Sequence, residues 1–144
     1  MKDVLQKIKQ GFTLVEILVV VVIIGILAAI AIPTYFRLTE NTYAKEAEIQ
    51  ISNMVKSAGQ YKLEEGTLPG DCWETMLETG HIEITEAVTD AWEFECSWDW
   101  DQNMSRMEGT VSATSTDENG AGPGNTVTYT IEENEYTGFG QGAE

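Results

Sequence analysis

The sequence is poor in basic residues, and this shortage excludes one class of function. Only 8 Lys and Arg residues stand against 24 Asp and Glu residues, which gives a formal net charge of -16 at pH 7. So acidic a chain repels the phosphates of nucleic acids, and we therefore expect no direct binding to DNA or RNA. A well-solvated, soluble surface is the simplest explanation of the acidity.

Histidine and cysteine are also scarce, which limits the chemistry that the chain can perform. His81, Cys72 and Cys96 are too few to supply the four ligands of a structural zinc site. No nucleophile lies in a motif with a base, and carboxylate pairs are too common in this chain to indicate glycoside hydrolysis. We therefore expect no enzymatic activity, no metal site built on the cysteines and no cofactor.

The two cysteines lie in the part of the chain that we expect to leave the cytoplasm. In an oxidising compartment Cys72 and Cys96 would form a disulfide. Closing a loop of about 25 residues stabilises a fold by roughly 3–3.5 kcal/mol in the chain-entropy model. Such a bond would tie the segment after the long N-terminal helix to a central strand of the following domain.

One long apolar run, from Gly11 to Pro33, dominates the N-terminal part of the chain. Its middle, from Ile17 to Ile32, contains no polar side chain. About 25 helical residues span about 37 Å, whereas a bilayer core requires about 20 residues. Lysines precede the run, and such a basic stub stays on the cytoplasmic side. The run therefore predicts a single membrane span with the bulk of the chain outside the cytoplasm.

An ordinary secretory signal peptide is the main alternative explanation of this run. Ala29, Ile30 and Ala31 are similar to the small-residue cleavage site of such a peptide. Two features oppose that explanation: Glu16 lies where the apolar region of a signal peptide would be, and a helical pattern resumes soon after Pro33.

Three residues interrupt the apolar run and carry information about its use. The Glu16 carboxylate would cost about 2.5–3.5 kcal/mol in the apolar part of a bilayer, so a partner is expected, unless the side chain reaches the membrane edge. Pro33 removes a backbone hydrogen bond at a cost of about 3 kcal/mol within a helix. Gly25 weakens the same region, which makes the segment from Gly25 to Pro33 the weakest part of a continuous helix.

An amphipathic helix is predicted to follow the apolar run. Its apolar residues recur every third or fourth position and form one stripe: Ala44, Ala47, Ile51, Met54, Ala58 and Tyr61. Gly66 is predicted to end this helix. We expect the stripe to pack on the domain that follows.

The remaining chain predicts a small β-sheet, with a short helix or loop over residues 71–80. Residues 92–100 alternate strictly between apolar and polar side chains, which indicates a half-buried strand, with Trp100 partly exposed at its end. Alternation also begins at residues 81–84. Further strands are predicted at 109–115 and 126–132, joined by a turn-rich loop, and the tail 137–144 is expected to be loose. The fold class is therefore α+β.

Two other features admit a specialised function. The loop residues Asp117, Glu118 and Asn119 could bind Ca²⁺ through oxygen atoms, although they lack EF-hand spacing and a solvated turn is the simpler explanation. Aromatic residues along the helix could suggest an electron path, but core packing and membrane-edge anchoring explain them more simply: Phe12, Tyr35, Phe36, Tyr43 and Tyr61.

The N-terminal residues closely resemble those of type IV prepilins and the related pseudopilins. The resemblance covers about residues 5–40 and rests on the short basic leader, the sequence GFTLVE from Gly11 to Glu16, the apolar run and Pro33. It implies the pilin fold, with a leader at 1–11, a membrane-spanning and filament-core helix at 12–36, its amphipathic continuation at 37–66 and an acidic head at 67–144.

The resemblance also implies how such a chain would be processed and used. Prepilin peptidase would cleave between Gly11 and Phe12, and the new Phe12 amine would be methylated. Glu16 would pair with the Phe12 amine of a neighbouring subunit, which would offset much of the cost of burying either charge. Helix would be lost between Gly25 and Pro33 on assembly.

The implied function is that of a pilus subunit, held in inner-membrane lipid before assembly and in an extracellular filament afterwards. Its partners would be related pilin subunits, prepilin peptidase and the inner-membrane assembly platform. A pseudopilin of a secretion or competence system is the alternative, and a secreted or tethered binding module is a third. The cysteines depart from the type IVa pattern, since they leave the C-terminal region unbridged, and there is no Pro-Trp-Gly motif of major pseudopilins.

Overall fold

The structure, a computed structural model, describes residues 11–141. The lysines that we expect to hold the N-terminus in the cytoplasm lie outside this range, as does most of the leader. By contact density the chain divides into two compact units, of which the first ends at Phe36 and the second begins at Arg37.

The elements follow one another as a long helix, two short helices and four strands. They are α1 (Leu14–Glu65), α2 (Glu74–Glu78), α3 (Glu86–Ala91), β1 (Trp92–Asp101), β2 (Arg106–Ser115), β3 (Thr126–Thr130) and β4 (Glu135–Gly138). Within the described range the strands form one antiparallel sheet in the order β1-β2-β3-β4. A long N-terminal helix followed by a small antiparallel sheet confirms the predicted α+β pilin fold.

The apolar stripe of α1 packs against the sheet, as its spacing predicts. Ala44, Ala47 and Ile51 are buried, and they share one core with four residues of the sheet: Trp92, Val111, Ala113 and Val127. The two alanines have short side chains, which allows the helix to approach the sheet closely. Tyr61, the last residue of the predicted stripe, is only half-buried.

A second core lies further along α1 and is closed by the segment that follows the helix. Met54 and Ala58 of α1 pack there with Cys72, Met76 and Ile82. The helix ends at Glu65, as predicted, because Gly66 adopts a φ of 82° and its amide donates to the Lys62 carbonyl, 3.0 Å away. The chain can then turn back to supply this second core.

Strand β1 confirms the strict alternation of its sequence. Trp92 is 1% exposed, whereas Glu93 and Glu95 on the opposite face are exposed to solvent. Trp100 is half-buried at the end of the strand, where the Lys62 ammonium group lies 5.3 Å from the centroid of its ring. The aromatic face of this strand therefore covers most of the helical stripe.

The β1–β2 pairing explains one glycine. Gly109 lies opposite Trp98 and has a φ of 121°, and a Cβ atom there would lie 2.0 Å from the Ser97 carbonyl oxygen. Any larger residue would therefore force these two strands apart. The loop over residues 116–125 joins β2 and β3 as predicted.

Several predicted boundaries are wrong. Strand β2 begins at Arg106 rather than Gly109, because the hairpin with β1 continues to the turn, and β3 ends at Thr130 rather than Glu132. Residues 81–84 form no strand, because Ile82 packs into the second core instead of pairing. The tail is not loose at its start, because residues 135–138 form β4 against β3. Helix α3 was not predicted at all.

Candidate functional site

The junction between Gly11 and Phe12 lies in irregular chain before the first turn of α1. Both residues are exposed, and the Phe12 side chain is 84% exposed. A Cβ atom built on Gly11 would meet nothing within 4 Å. The packing of the described residues 11–141 therefore does not require glycine at this position, and the Gly11–Phe12 bond is exposed within that range.

Thr13 and Glu16 form a capping box at the start of α1. The Glu16 carboxylate accepts hydrogen bonds from the backbone amide and the hydroxyl of Thr13, each at 2.8 Å. In return, the Thr13 hydroxyl oxygen accepts a hydrogen bond from the Glu16 backbone amide at 3.2 Å. This reciprocal arrangement satisfies amides that a helix N-terminus leaves without partners. Glu16 thus has a local partner in addition to any partner in another subunit.

Sequence reasoning missed this role of Glu16 and did not single out Thr13. The signal was present, because Thr-x-x-Glu immediately before an apolar helix is a known N-terminal pattern. The charge of Glu16 in an apolar run predicted a partner, which the resemblance placed in another subunit. The local hydrogen-bonding capacity of the same carboxylate was overlooked.

The helix of the first unit presents its apolar side chains outward. From Leu14 to Leu27 every residue is exposed, and representative side chains such as Ile24 and Leu27 are 58% and 61% exposed. The most apolar window of 18 residues in this helix has a mean hydropathy of 3.2, and none of it is buried against the rest of the described chain. By length and composition this helix can cross a membrane. Its surface is covered by nothing in the described chain, so lipid or another protein must cover it.

Gly25 and Pro33 lie within α1, which is helical through both positions. Pro33 cannot donate to the Ala29 carbonyl. The Thr34 hydroxyl donates to the Ile30 carbonyl at 3.0 Å, and so does not replace the bond to Ala29 that Pro33 cannot make. A Cβ atom at Gly25 would meet nothing within 4 Å, so Gly25 is not needed for packing within this chain. Loss of helix between these residues on assembly stays a prediction.

Cys72 and Cys96 form the predicted disulfide, with their Cα atoms 5.3 Å apart. Cys96 lies on the inward face of β1 and Cys72 is buried in the second core. The bond therefore joins the segment after α1 to an edge strand of the sheet. The predicted link to a central strand is wrong, because β1 pairs only with β2 within the described range. Trp98 reinforces the same connection, because its indole nitrogen donates to the Pro69 carbonyl at 3.0 Å.

The loop proposed as a Ca²⁺ site is arranged around a buried asparagine. Asn119 is 6% exposed; its amide group donates to the Ala91 carbonyl at 3.2 Å and its side-chain oxygen accepts the Ala121 amide at 2.9 Å. Asp117 and Glu118 are exposed. Asn119 thus holds the loop against the end of α3. No group of three or more His, Cys, Asp or Glu residues in the described range could hold a metal ion.

The aromatic residues of α1 fall into different environments. Tyr35 and Phe36 contact each other edge to face, with ring centroids 6.3 Å apart, in the first unit. Tyr43 and Tyr61 are half-buried in the cores of the second unit. Core packing therefore accounts for Tyr43 and Tyr61.

The chain thus combines an exposed apolar helix, whose first turn is capped by a carboxylate, with a small antiparallel sheet. Residues 6–32 match the family model described as the prokaryotic N-terminal methylation motif. The N-terminal part of the chain is therefore similar to the proteins that carry this motif, as its residues predict.

Similar proteins carry the names of pilus subunits. The chain is 36% identical over 64 residues to the fimbrial protein of Neisseria meningitidis serogroup B (strain ATCC BAA-335 / MC58), which covers 44% of this chain and 38% of that protein. It is likewise 36% identical over 64 residues to the type IV major pilin protein PilE of Neisseria gonorrhoeae, with the same coverage.

A fimbrial protein of Pseudomonas aeruginosa is 47% identical over 60 residues, which covers 42% of this chain and 38% of that protein. The chain thus spans about two fifths of the length of these relatives. No solved structure matches this chain.

Proposed function

We propose that the chain is a structural subunit of a type IV pilus that polymerises through its N-terminal helix. The observation that carries this proposal is the first unit, a membrane-length helix whose apolar side chains are exposed along its whole circumference. Burial of such a surface is favourable by about 25 cal/mol per Å² of apolar area. Lipid would cover it before assembly, and the helices of other subunits would cover it in the filament.

Processing would prepare the subunit for this transfer. Prepilin peptidase would cleave after Gly11, in the exposed chain before α1, and the resulting Phe12 amine would be methylated. The new amine would lie two residues before α1 begins at Leu14, next to the capping box of Thr13 and Glu16. The subunit would stand in the inner membrane with its N-terminus in the cytoplasm until an assembly platform adds it to the filament.

Glu16 would then fix the position of each subunit along the filament. Its carboxylate would pair with the methylated Phe12 amine of a neighbour, and two opposite charges that meet in an apolar interior cost less than either alone. The capping bonds hold the Glu16 side chain in one place before this contact forms. The pair would give a register that apolar contacts, which are not directional, do not provide.

Mass spectrometry of the exported protein tests the processing step. We expect a mature chain that begins with N-methylated Phe12. A chain that begins near Ile32 would instead identify an ordinary signal peptide and a secreted module, and it would remove the filament proposal.

A pseudopilin of a secretion or competence system is the second candidate. The position of the disulfide favours keeping it, because Cys72 and Cys96 leave residues 97–141 without a covalent bridge, unlike the C-terminal loop of many type IVa pilins. Electron microscopy of surface filaments, with antibodies against the second unit, separates the two. Long labelled surface fibres support a pilus, and their absence from cells that process the protein supports a pseudopilus.

A further inference from the structure

Basic side chains are concentrated on one element of the second unit. Apart from Arg106, every lysine and arginine after residue 11 lies on the part of α1 that belongs to this unit: Arg37, Lys45, Lys56 and Lys62. The segment after Gly66 is dominated by acidic residues. The positive charges of the second unit are therefore concentrated on α1, whereas the segment after Gly66 is strongly negative.

Part of this helix forms an exposed stripe that is both basic and apolar. Lys45, Ile49, Lys56 and Leu63 are spaced so that they fall on one side of α1, opposite the buried residues such as Ile51 and Met54. Ile49 is 59% exposed and Leu63 is 84% exposed. We call these four residues the basic stripe. Large exposed apolar side chains are typical of surfaces that contact another protein.

A groove opens beside this stripe. It has a volume of about 280 Å³ and is lined by Ser52, Val55 and Lys56 of α1 and by Tyr129, Asn134 and Tyr136 of the β3–β4 hairpin. The two tyrosine rings contact each other, with centroids 4.6 Å apart. Their hydroxyls already have acceptors, in the Asn134 side chain at 2.8 Å and the Glu48 carbonyl at 3.2 Å.

Lys56 is therefore the charged group that this groove offers to a ligand. Whereas Lys45 is paired with Glu48 at 2.7 Å, Lys56 forms no ion pair with any residue between 11 and 141. A lysine ammonium group at the rim of a groove suits a carboxylate that enters from outside.

We propose that the groove and the basic stripe receive a second copy of this chain, with a carboxylate side chain of its acidic head paired to Lys56. This inference rests on the proposed function, because it concerns how neighbouring heads meet in the filament. The full chain has a net charge of -16, so copies of it repel each other, and contacts between acidic surfaces would oppose assembly. At the basic stripe, a lysine can instead attract a carboxylate of the neighbouring copy. The contact joins two different surfaces, as an open polymer requires.

Charge reversal at Lys56, compared with a matched reversal at Arg106, tests this contact. K56E and R106E change the net charge by the same amount at exposed residues, but only Lys56 lies at the groove. We expect K56E to lower the yield of sheared filaments at least about tenfold, a change equivalent to about 1.4 kcal/mol. We expect R106E to assemble as the unchanged protein does. Equal yields for K56E and R106E, whether both normal or both reduced, overturn the proposal.

Chemical cross-linking identifies the partner. Carbodiimide treatment of unchanged filaments, which joins an amine directly to a carboxylate, is expected to give a dimer in which Lys56 is linked to an Asp or Glu of another copy. The same dimer is expected to be absent from K56Q filaments. Links from Lys56 only within its own chain, or to a different protein, overturn the proposal.

These variants distinguish a failure of the proposed function from a failure of the Lys56 contact. If the unchanged chain and R106E both fail to form filaments, the proposed function itself is wrong. If both form filaments and K56E does so equally well, only the Lys56 contact is wrong. The melting temperature of K56E in detergent is expected to equal that of the unchanged chain, because Lys56 is exposed, which separates an assembly defect from a folding defect.

Discussion

Glu16 and Thr13 are joined by three hydrogen bonds at the first turn of α1, and the two that the Glu16 carboxylate accepts are each 2.8 Å long. Glu16 is therefore a helix cap as well as the one charged residue in the apolar run. The two roles need different properties of the side chain. A cap needs an acceptor oxygen, which glutamine also supplies, whereas pairing with an amine across subunits needs the negative charge.

The capping role predicts a local effect of Thr13→Val. This change keeps the shape of the side chain but removes the hydroxyl that donates to Glu16 and accepts its amide. We expect the first turn of α1 to fray, with several-fold faster amide hydrogen exchange at residues 14–16 in detergent micelles. Residues beyond the second turn should be unaffected. Unchanged exchange at Leu14 and Val15 would show that the capping box contributes little.

The buried stripe of α1 predicts a difference between two neighbouring isoleucines. Ile51 is fully buried between helix and sheet, whereas Ile49 is 59% exposed. Ile51→Ala is expected to lower the free energy of unfolding of the second unit by about 2–5 kcal/mol, because it leaves a cavity. Ile49→Ala is the matched control, with an expected change within about 0.5 kcal/mol. Denaturant titration of the full chain in detergent measures both, and similar losses would contradict the assigned packing.

The Cys72–Cys96 disulfide predicts a loss of stability on reduction. Its sequence separation is 24 residues. In the chain-entropy model, opening such a loop lowers the free energy of unfolding by roughly 3–3.5 kcal/mol. Unfolding curves with and without a reductant measure this change. The variant in which both cysteines are serine should have the lower stability in both conditions, and a further effect of reductant on it would point to another target.

Burial of Tyr136 predicts a contribution to stability that depends on alkaline pH. Burial raises the pKa of the Tyr136 hydroxyl above its ordinary value, and the nearby Tyr129 and Glu48 act in the same direction. Because the unfolded chain ionises first, this contribution is fully present below the unfolded pKa, near 10, and is lost as the pH rises through the raised pKa.

Tyr136→Phe therefore should be less sensitive to alkaline pH than the unchanged chain. The measurement is the midpoint of urea unfolding between neutral pH and about pH 11, above the ordinary tyrosine pKa. Tyr35→Phe, at an exposed residue of the first unit, is the control and should retain the sensitivity. Equal slopes for the two variants would exclude Tyr136 as the group responsible.

The sequence predicted those parts of the fold whose periodicity reports burial directly. The α1 stripe and the alternation of β1 are such patterns, because each buried face recurs at the period of its element. Strand β4 was missed because Gly138 and its flanking glycines weaken the strand signal, and its pairing with β3 is a long-range contact. The alternation of residues 81–84 wrongly indicated a strand, because Ile82 packs into the second core and these residues pair with no strand.

The candidate site was predicted in part for similar reasons. A carboxylate in an apolar run is conspicuous, so Glu16 was identified, but its hydrogen bonds with Thr13 depend on where the helix begins. The groove at Lys56 could not be predicted, because it forms only when the β3–β4 hairpin lies beside α1. Boundaries of elements and the spaces between them are set by tertiary packing rather than by local periodicity.

Filament yield from Glu16→Gln tests the central claim most directly, since glutamine can still accept the capping bonds from Thr13 but carries no charge. The measurement compares sheared surface filaments with the amount of processed subunit in the membrane, alongside Thr13→Val. If Glu16 pairs with the Phe12 amine of a neighbour, Glu16→Gln gives processed, membrane-inserted subunits and few or no filaments, while Thr13→Val still assembles. Normal filaments from Glu16→Gln would contradict the account and leave Glu16 as a helix cap alone.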